Sequence, residues 1–245
     1  CKERNIVPVS MGIDTWAVDY VLLDDVGNRI QDVYGYRDSR TKGMDKEIYK
    51  TICEEDLYLR TGIQKQIFNT IYQLKIEDKL DEANCMLMIP DYFNYLLSGQ
   101  KITEYTNAST TQLISPITKD WDYELIELLG YPKHIFTKIK NPGYVVGNLR
   151  QEIQKIVGFD TRVVLPATHD TASAVLAIPS NEDSLYISSG TWSLMGCELK
   201  EANCSLESKE RNFTNEGGID YRFRYLKNIM GMWMIDSMKN EIANE

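Results

Sequence analysis

The sequence predicts an α/β protein, because segments with the apolar pattern of strands alternate with segments of helical spacing. In the middle of the chain, the strand-like runs GYVVG at 143–147 and RVVLPA at 162–167 flank RQEIQKIVG at 150–158, which has the spacing of a helix. A chain of 245 residues can bury roughly 70 to 75 % of its unfolded surface. Its core therefore needs no disulfide or metal, and one large domain or two smaller ones fit the length.

The first third of the chain predicts a hairpin followed by helices. Residues 11–24 alternate apolar and polar side chains and then run apolar into a D-D-V-G-N-R turn, which predicts a strand leading to a second strand at 31–36. From 45 to 80 the apolar residues recur at three and four, the spacing of helices. Pro90 is suited to open a further helix and Gly99 to close it.

The remaining segments complete the predicted order of elements. WDYELIELLG at 121–130 predicts a helix that stops at Gly130. Residues 184–199 predict a long strand with a turn inside it, and the polar stretch 198–211 predicts a surface loop. Residues 221–239 have the period of an amphipathic helix.

Composition and charge argue against several classes of partner. The formal net charge of −9 and the pI near 4.9 repel phosphate backbones, so nucleic acid is not an expected partner. The sequence has no run of about 18 apolar residues, so a membrane partner is not expected either. Five scattered cysteines and two histidines predict reduced thiols in a cytoplasmic protein without a metal site. We expect a monomer or a weak homo-oligomer.

Asp170 is the first candidate for chemistry. In THDTAS it falls between an apolar strand and a helix of small residues, so its carboxylate is expected at the carboxyl end of the sheet, where ligands of α/β proteins bind. A carboxylate there suits a general base. The alternative is that Asp170 only caps the helix by accepting backbone N–H bonds.

A turn of small residues follows about twenty residues later. In YISSGTWSLMG, residues 188–191 form a turn whose backbone N–H groups are able to approach phosphate oxygens, with the Thr191 hydroxyl as a further donor. One helix and one strand would span the distance from Asp170, so the base and the phosphate cradle would face one cleft. The alternative is an ordinary hairpin turn.

Two further segments predict a sugar-binding wall. In GIDTWAVD, Asp14 and Trp16 would share one face of a strand, with Asp19 further along, and an aromatic face beside carboxylates suits a sugar. The alternative for Trp16 is a place in the core. The TNAS motif at 106–109 adds hydroxyls and an amide, and its alternative role is a helix cap.

Several motifs, taken together, resemble the FGGY carbohydrate kinase family in order and spacing from Met11 to about Lys239. They are GIDTWAVD, YRDSRT, FNTIYQL, MLMIPDYFNYLLSG, EYTNASTTQL, HDTASAV, YISSGTWSLMG, TNEGG and YLKNIMGMW. The resemblance implies an α/β ribonuclease H-like fold, similar to the actin and hexokinase ATPases, in which two lobes enclose a cleft. Residues 1–180 would form the amino-terminal, sugar-binding lobe, and residues 181–245 would begin the carboxyl-terminal, nucleotide-binding lobe.

The same resemblance implies that both lobes are truncated. The family's amino-terminal phosphate hairpin, which carries a magnesium-associated Asp, has no counterpart in the sequence, and neither has its carboxyl-terminal adenosine-binding part. Phosphoryl transfer depends on donors and metal arranged around the γ-phosphate, so we expect the chain alone to be inactive.

The resemblance also implies roles for individual residues. Asp170 is expected to accept the proton of the substrate's 1-hydroxyl. The residues expected against the sugar are Ala17, His169, Thr171 and Asn228. The residues expected at the nucleotide are Gly190, Thr191 and Asp236. The alternative for Asn228 is a polar helix face, and Asp236 departs from the glutamine that related kinases can carry, which puts its role in question.

The implied function is ATP-dependent phosphorylation of L-rhamnulose at its 1-hydroxyl in rhamnose catabolism, with ATP and Mg²⁺ as cofactors. An alternative function is that of another FGGY kinase, acting on fuculose, xylulose or glycerol, because a pocket distinguishes sugar stereochemistry by only a few hydrogen bonds. From other classes, a sugar-binding module, a regulatory pseudokinase and an actin-like scaffold lobe also use this fold. The paired HDT and SSGT motifs argue against the scaffold.

Overall fold

The computed structural model describes residues 1–179, 184–189 and 192–243. Helices and strands alternate through most of these ranges, so the α/β class is confirmed. The strands are β1 (Ser10–Met11), β2 (Tyr20–Leu23), β3 (Cys85–Met88), β4 (Thr103–Glu104), β5 (Ile139–Lys140), β6 (Val145–Asn148), β7 (Arg162–Val164), β8 (Tyr186–Ser189), β9 (Trp192–Leu199), β10 (Thr214–Gly217) and β11 (Phe223–Met230). The helices are α1 (Met44–Ile48), α2 (Glu54–Thr61), α3 (Thr70–Lys75), α4 (Ile89–Ser98), α5 (Tyr105–Ala108), α6 (Tyr123–Leu128), α7 (Gln151–Val157), α8 (Asp170–Leu176), α9 (Leu206–Glu210) and α10 (Trp233–Ala243).

The predicted helix ends are confirmed where local chemistry fixes them. Pro90 lies in the first turn of α4, and Gly99 ends that helix in the left-handed region, with a φ of 78°. α7 ends in the same way at Gly158, and α6 ends before Gly130. Within the described ranges, no helix has the length and apolar character needed to cross a bilayer.

The main core lies between the β2–β3 pair and the helices that cover it. Tyr20 and Leu22 from β2 and Met86 and Met88 from β3 belong to one buried cluster that includes Leu125 of α6. β2 and β3 are antiparallel, and all four residues of each strand are buried, so the pair reads as an apolar run rather than an alternating one. This core supports the loops that follow its strands.

A three-stranded sheet of order β1-β7-β6 places Asp170. β1 is parallel to β7, and beyond the strands the two segments continue side by side. The Thr15 N–H donates to the carbonyl of Thr168 at 2.9 Å, and the Asp170 N–H donates to the carbonyl of Thr15 at 2.9 Å. The loop from Thr168 to Asp170 therefore lies at the carboxyl end of two parallel segments, as the sequence predicts.

A four-stranded antiparallel sheet of order β10-β11-β9-β8 forms the second half of the structure. In its register, Asn228 of β11 lies opposite Leu194 of β9, which lies opposite Ser188 of β8. Likewise Arg224 of β11 lies opposite Glu216 of β10. Since alternate residues of a strand share a face, Arg224 and Asn228 point to the same side of the sheet.

The prediction of a single helix at 221–239 was wrong. The structure divides this segment into strand β11 and helix α10, separated by Gly231. Phe223, Leu226 and Met230 have helical spacing in the sequence, but all eight residues of β11 pair with β9. Hydrogen bonding to a distant segment overrides the local period here, so Asn228 lies on a strand and not on a helix.

The turn of the predicted hairpin near the amino terminus is confirmed by an antiparallel bridge between Leu23 and Arg29. The two strands predicted around this turn were wrong. The strand expected at 11–24 is interrupted before β2, where Val18 has a φ of 68° in the left-handed region. Residues 31–36, all of them described, form no strand. The Tyr36 N–H donates to the Asp19 carboxylate at 3.0 Å, so a side chain satisfies this backbone donor instead of a strand partner.

The predicted surface loop at 198–211 contains regular structure. β9 continues to Leu199, and α9 begins after Ser205, whose hydroxyl accepts from the Ser208 N–H at 3.2 Å. This is an N-cap of the ordinary kind, and its Ser was overlooked because the surrounding residues are strongly polar. The predicted helix after His169 is present as α8, and the two halves of the strand predicted at 184–199 are present as β8 and β9. The centre of the turn predicted between them, at 190–191, lies outside the described residues.

The second sheet is hydrogen-bonded to the end of α2. The Asn215 backbone N–H and its side-chain amide donate to the carbonyl of Gly62 at 3.0 and 2.9 Å. The Tyr58 hydroxyl donates to the carbonyl of Phe213 at 2.8 Å and lies 2.9 Å from Ser208 Oγ. These bonds between distant segments hold β10 close to the helices of the first half.

Candidate active site

A cavity of about 480 Å³ lies between the β1–β7 loops and the second sheet. Five of the eight predicted site residues line it together, although they come from segments far apart in the chain. These five are Ala17, His169, Asp170, Thr171 and Asn228. We call this space the site cavity.

The other three predicted residues belong to the nucleotide set. Gly190 and Thr191 lie outside the described residues, and so does the side chain of Asp236, whose backbone belongs to α10. Ser188 and Ser189, the first two residues of the predicted phosphate turn, belong to strand β8 and line the site cavity. Their place in β8 brings that end of the hairpin to the same space as Asp170.

Asp170 is the first residue of α8, and His169 occupies the N-cap position. Asp170 Oδ1 accepts from the Thr171 N–H at 2.6 Å and from the Thr171 hydroxyl at 3.3 Å. The carboxylate therefore satisfies one donor of the helix end, as the capping alternative predicts in part. Even so, 59 % of the side chain is exposed and it faces the site cavity, so a substrate hydroxyl can reach it.

Glu104 holds the loop that precedes Asp170. It is completely buried, and its Oε2 accepts from the Thr168 N–H at 3.0 Å, from the Thr168 hydroxyl at 2.6 Å and from the Thr106 hydroxyl at 2.6 Å. Its Oε1 accepts from the Thr106 N–H at 2.8 Å, which caps α5. Burial raises the pKa of Glu104, and these hydrogen bonds oppose that rise.

The TNAS motif supports this loop from below the cavity. Thr106 and Asn107 are fully buried, and the Thr106 hydroxyl accepts from the His169 N–H at 3.3 Å. The Asn107 amide donates to the carbonyl of Trp16 at 3.3 Å. Their geometry favours the structural alternative, in which the motif and its preceding Glu104 form a capped helix that positions its neighbours.

Asp19 fixes the aromatic side of the cavity. It is 2 % exposed, and its Oδ2 accepts from Trp16 Nε1 at 2.8 Å and from the Tyr36 N–H at 3.0 Å. Oδ1 accepts from the Gln73 amide at 3.1 Å. Burial raises the pKa of Asp19, and its hydrogen bonds with Trp16 and Gln73 oppose that rise.

Trp16 lines the cavity and is 47 % exposed, so the core alternative for it was wrong. Asp14 is exposed and is not among the residues that line the cavity. The predicted sharing of one strand face by these two residues fails, because β1 ends at Met11 and no strand spans them. We call Trp16, Ala17, Tyr36 and residues 168–171 the loop wall.

The opposite side of the cavity is a row across the second sheet. Asn228, Leu194 and Ser188 are cross-strand neighbours in register, and all three line the cavity. The Asn228 amide donates to Gln64 Oε1 at 3.2 Å, which connects β11 to the segment after α2. We call Ser188, Leu194 and Asn228 the sheet wall.

A buried charged cluster joins the two walls. Arg224 is completely buried, and its Nη2 lies 2.9 Å from His169 Nδ1 and 3.0 Å from Glu216 Oε2. On the other side of the ring, His169 Nε2 lies 3.5 Å from Asp170 Oδ1. Burial, and the positive charge of Arg224, hold the pKa of His169 well below its usual value, so its imidazole is neutral.

The sequence reasoning missed Glu104, Arg224 and Glu216. Each is a charged residue whose role comes from burial between distant elements, which no local pattern reveals. One signal was present, because Arg224 interrupts the apolar and aromatic run of FRYL and a charged residue there needs a partner.

The family resemblance implies a magnesium ion, for which the carboxylates around the cavity are the candidate ligands. Within the described part of the chain, no group of three or more His, Cys, Asp or Glu side chains is arranged to hold a metal ion. Asp170 and Glu216 both line the cavity, but Glu216 is paired with Arg224. These residues do not make a magnesium site by themselves.

Comparison with known proteins defines the class to which this fold and site belong. The model of the amino-terminal domain of the FGGY family of carbohydrate kinases matches residues 3–177. The chain therefore belongs to the FGGY family of carbohydrate kinases, as the motifs predict.

Within this family, the chain is similar in sequence to rhamnulokinases. The chain is 54 % identical over 248 residues to a rhamnulokinase from Oceanobacillus iheyensis, covering 99 % of this chain and 53 % of that protein. It is 52 % identical over 249 residues to a rhamnulokinase from Halalkalibacterium halodurans, covering 100 % of this chain and 53 % of that protein. The chain thus spans about half the length of these relatives.

Solved structures support the fold. A xylulose kinase from Rhodospirillum rubrum superimposes with a TM-score of 0.86 at 17 % identity, covering 99 % of this chain and 51 % of that one. Plasmodium falciparum glycerol kinase with ADP superimposes with a TM-score of 0.80 at 16 % identity, covering 98 % of this chain and 50 % of that one. The predicted α/β fold of the actin and hexokinase type is confirmed by this likeness.

Proposed function

We propose that the protein carrying this chain phosphorylates L-rhamnulose at its 1-hydroxyl, with ATP as donor and Mg²⁺ as its companion. The observation that carries this proposal is the meeting of Asp170, Ala17 and Asn228 in one cavity. The sequence identities of 54 and 52 % to two rhamnulokinases also support the proposal. A ketose 1-phosphate is the expected product.

In this proposal Asp170 is the general base. Its exposed carboxylate takes the proton of the 1-hydroxyl while that oxygen attacks the γ-phosphorus of ATP, and the bond from this phosphorus to the β–γ bridging oxygen breaks to release ADP. Ala17, His169, Thr171 and Asn228 contact the sugar, and the Trp16 ring, fixed by Asp19, faces its apolar C–H surface. Loop positions fixed by buried hydrogen bonds keep the base in place before the sugar arrives.

In this proposal the nucleotide binds on the side of the cavity lined by Ser188 and Ser189. Gly190 and Thr191 would contact its phosphates, and Asp236 would lie near it. Residues 1–180 would then form the sugar-binding lobe and 181–245 the start of the nucleotide-binding lobe. The chain would work in the cytoplasm as a monomer or weak homo-oligomer.

The test is Asp170→Asn in the protein as encoded by its gene, followed by coupled detection of ADP. We expect kcat to fall by about 10² to 10⁴, the usual contribution of a general base, with sugar binding retained. The matched control is Asp25→Asn, which makes the same change at an exposed residue of the β2 turn. Turnover of Asp170→Asn close to that of this control would refute the assignment.

A substrate panel tests the sugar. L-rhamnulose, L-fuculose, D-xylulose and glycerol are compared by kcat/KM under the same conditions, and L-rhamnulose is expected to be preferred. Preference for another of the four would keep the kinase and replace its substrate. Binding of a sugar without ADP release would instead favour the sugar-binding module.

A further inference from the structure

The buried contact between Arg224 and His169 has a defined direction. A guanidinium carries only N–H donors and no acceptor, so the nitrogen it faces must offer a lone pair. Arg224 Nη2 lies 2.9 Å from His169 Nδ1. Nδ1 is therefore the acceptor, and the single proton of the neutral imidazole belongs to Nε2.

The rest of the cluster supports this direction. Arg224 is held on its own side by donation from Nε to the carbonyl of Gly217 at 3.0 Å and by its ion pair with Glu216 at 3.0 Å. Glu216 Oε2 also lies 3.4 Å from His169 Nδ1, but it is further away than the guanidinium and already paired with it. The charged groups that face the ring are thus Asp170 from α8, Glu216 from β10 and Arg224 from β11.

We propose that Arg224 is a positioning residue that holds His169 as the Nε2–H tautomer, with this N–H directed toward the site cavity beside Asp170. The proposal rests on the proposed function in giving this N–H a substrate to meet. Its direct consequence is structural: Nε2, 3.5 Å from Asp170 Oδ1, is a donor in the free protein and is available to a sugar oxygen or to the carboxylate.

The arrangement also fixes the charge next to the base. A proton added to Nδ1 would point at the guanidinium, so the imidazole stays neutral beside Asp170 while the Arg224 contact is present. Without Arg224 the ring regains its second tautomer, and the pKa of His169 rises because the repelling charge is gone, while burial continues to lower it. A neighbour that gains charge more readily as the pH falls would alter the proton acceptor beside it.

The first experiment leaves the Arg224, His169 and Glu216 cluster unchanged. The protein is labelled with ¹⁵N-histidine, and long-range ¹H–¹⁵N spectra are recorded from pH 5.5 to 8. The chain has only two histidines, and the second, His134, is an internal reference because its Nε2 lies 2.9 Å from the carbonyl of Ala83. His134→Gln assigns the signals. We expect the His169 ring to be neutral with its proton on Nε2 throughout; an Nδ1–H or imidazolium signal at pH 7 would overturn the proposal.

The second experiment removes the guanidinium. Arg224→Met, combined with Glu216→Gln so that no buried carboxylate is left unpaired, is compared with Glu216→Gln alone. The single variant is expected to keep the wild-type His169 signals, because it keeps the Arg224 contact. The double variant is expected to show mixed tautomers, because neither ring nitrogen then faces a guanidinium. A folded double variant whose His169 still matches the wild type would count against the proposal.

A kinetic readout separates positioning from packing. In Arg224→Met/Glu216→Gln, kcat/KM is expected to fall more steeply than in the wild type as the pH is lowered from 8 to 5.5, because loss of the Arg224 charge raises the pKa of His169. A uniform loss at every pH would mean that Arg224 only packs. Because the spectra do not depend on turnover, failure of Asp170 as the base would leave the tautomer result standing, and the two proposals can fail separately.

Discussion

The two walls of the site cavity are built in different ways. On the loop wall, residues 168–171 and Trp16 are held by single buried carboxylates, Glu104 and Asp19. On the sheet wall, Ser188, Leu194 and Asn228 are placed by the backbone register of three antiparallel strands. The position of a side chain on the loop wall therefore depends on another side chain, whereas a position on the sheet wall depends on a ladder of backbone bonds.

This difference predicts where mutations matter. Removing one buried acceptor leaves several buried donors without a partner, and each costs about 1 to 3 kcal/mol. Removing a side chain from a strand leaves the ladder intact, so the cost is limited to the contacts of that side chain. The free energy of unfolding is thus expected to fall strongly when a buried acceptor that supports the loop wall is removed. It is expected to change little when a side chain of the sheet wall is removed.

The largest effect is expected from Glu104→Ala. The change leaves the N–H and hydroxyl donors of Thr106 and Thr168 unpaired in the interior, so we expect the free energy of unfolding to fall by about 3 to 5 kcal/mol. Urea unfolding followed by circular dichroism measures it. Glu104→Gln keeps the size and one acceptor oxygen and should lose about half as much. A loss below about 1 kcal/mol for Glu104→Ala would mean that the loop wall does not depend on this buried acceptor.

The next effect tests the junction that joins the sheet to α2. Gly62 has a φ of 68°, and a Cβ there would lie 2.8 Å from Cys204 Sγ and 2.9 Å from Asn215 Nδ2. Gly62→Ala combines a left-handed backbone with close contacts, so we expect a loss of about 2 to 3 kcal/mol in unfolding free energy. Gly43→Ala is the matched control, because its φ is 90° and nothing lies within 4 Å of the added Cβ.

In this pair, the control should lose only the backbone part, about 1 kcal/mol. The difference between the two variants then reports how tightly the junction is packed. Equal losses would mean that the junction yields freely, and that the sheet wall is not held against α2 by this contact.

A third prediction concerns His169, where the walls meet. Its pKa is depressed in the folded protein by burial and by Arg224, so the unfolded chain binds the extra proton as the pH falls below about 6.5. Stability due to this group is therefore present above that pH and is lost on acidification. We expect the stability advantage of the wild type over His169→Asn to shrink by about 1 kcal/mol from pH 7.5 to 5.5.

The measurement compares urea unfolding of the two proteins at both pH values. The buried carboxyl of Glu216 has a raised pKa, caused mainly by burial, and so it acts in the opposite direction as the pH rises. Because Glu216 is present in both proteins, the difference isolates the imidazole. An advantage that stays constant would mean that His169 titrates alike in both states.

Local chemistry made part of this structure predictable. Helix α4 begins at a proline and ends at a glycine in the left-handed region, and both signals act within a few residues. The strand-to-helix step at Asp170 is of the same kind. β11 was not predictable in this way, because Phe223 and Leu226 satisfy a helical period as well as a strand, and pairing with β9 decides between them.

The site shows the same division. Asp170 was found from its motif, and its neighbours Ala17 and Asn228 came from the family resemblance. Glu104 and Arg224 carry no local signal, because their roles arise only when distant elements enclose them. Sequence patterns therefore reveal the residues that face a substrate more readily than the buried residues that hold them.

The smallest effect on stability is expected on the sheet wall. Asn228→Ala removes one partly exposed hydrogen bond to Gln64, of 3.2 Å, and leaves the pairing with Leu194 unchanged. We expect unfolding free energy to change by about 0.5 kcal/mol, while the affinity for L-rhamnulose, measured by calorimetry, weakens about tenfold through the loss of one hydrogen bond. A stability loss above about 2 kcal/mol would show that this side chain supports its wall as Glu104 does, and the distinction between register and buried acceptor would no longer hold.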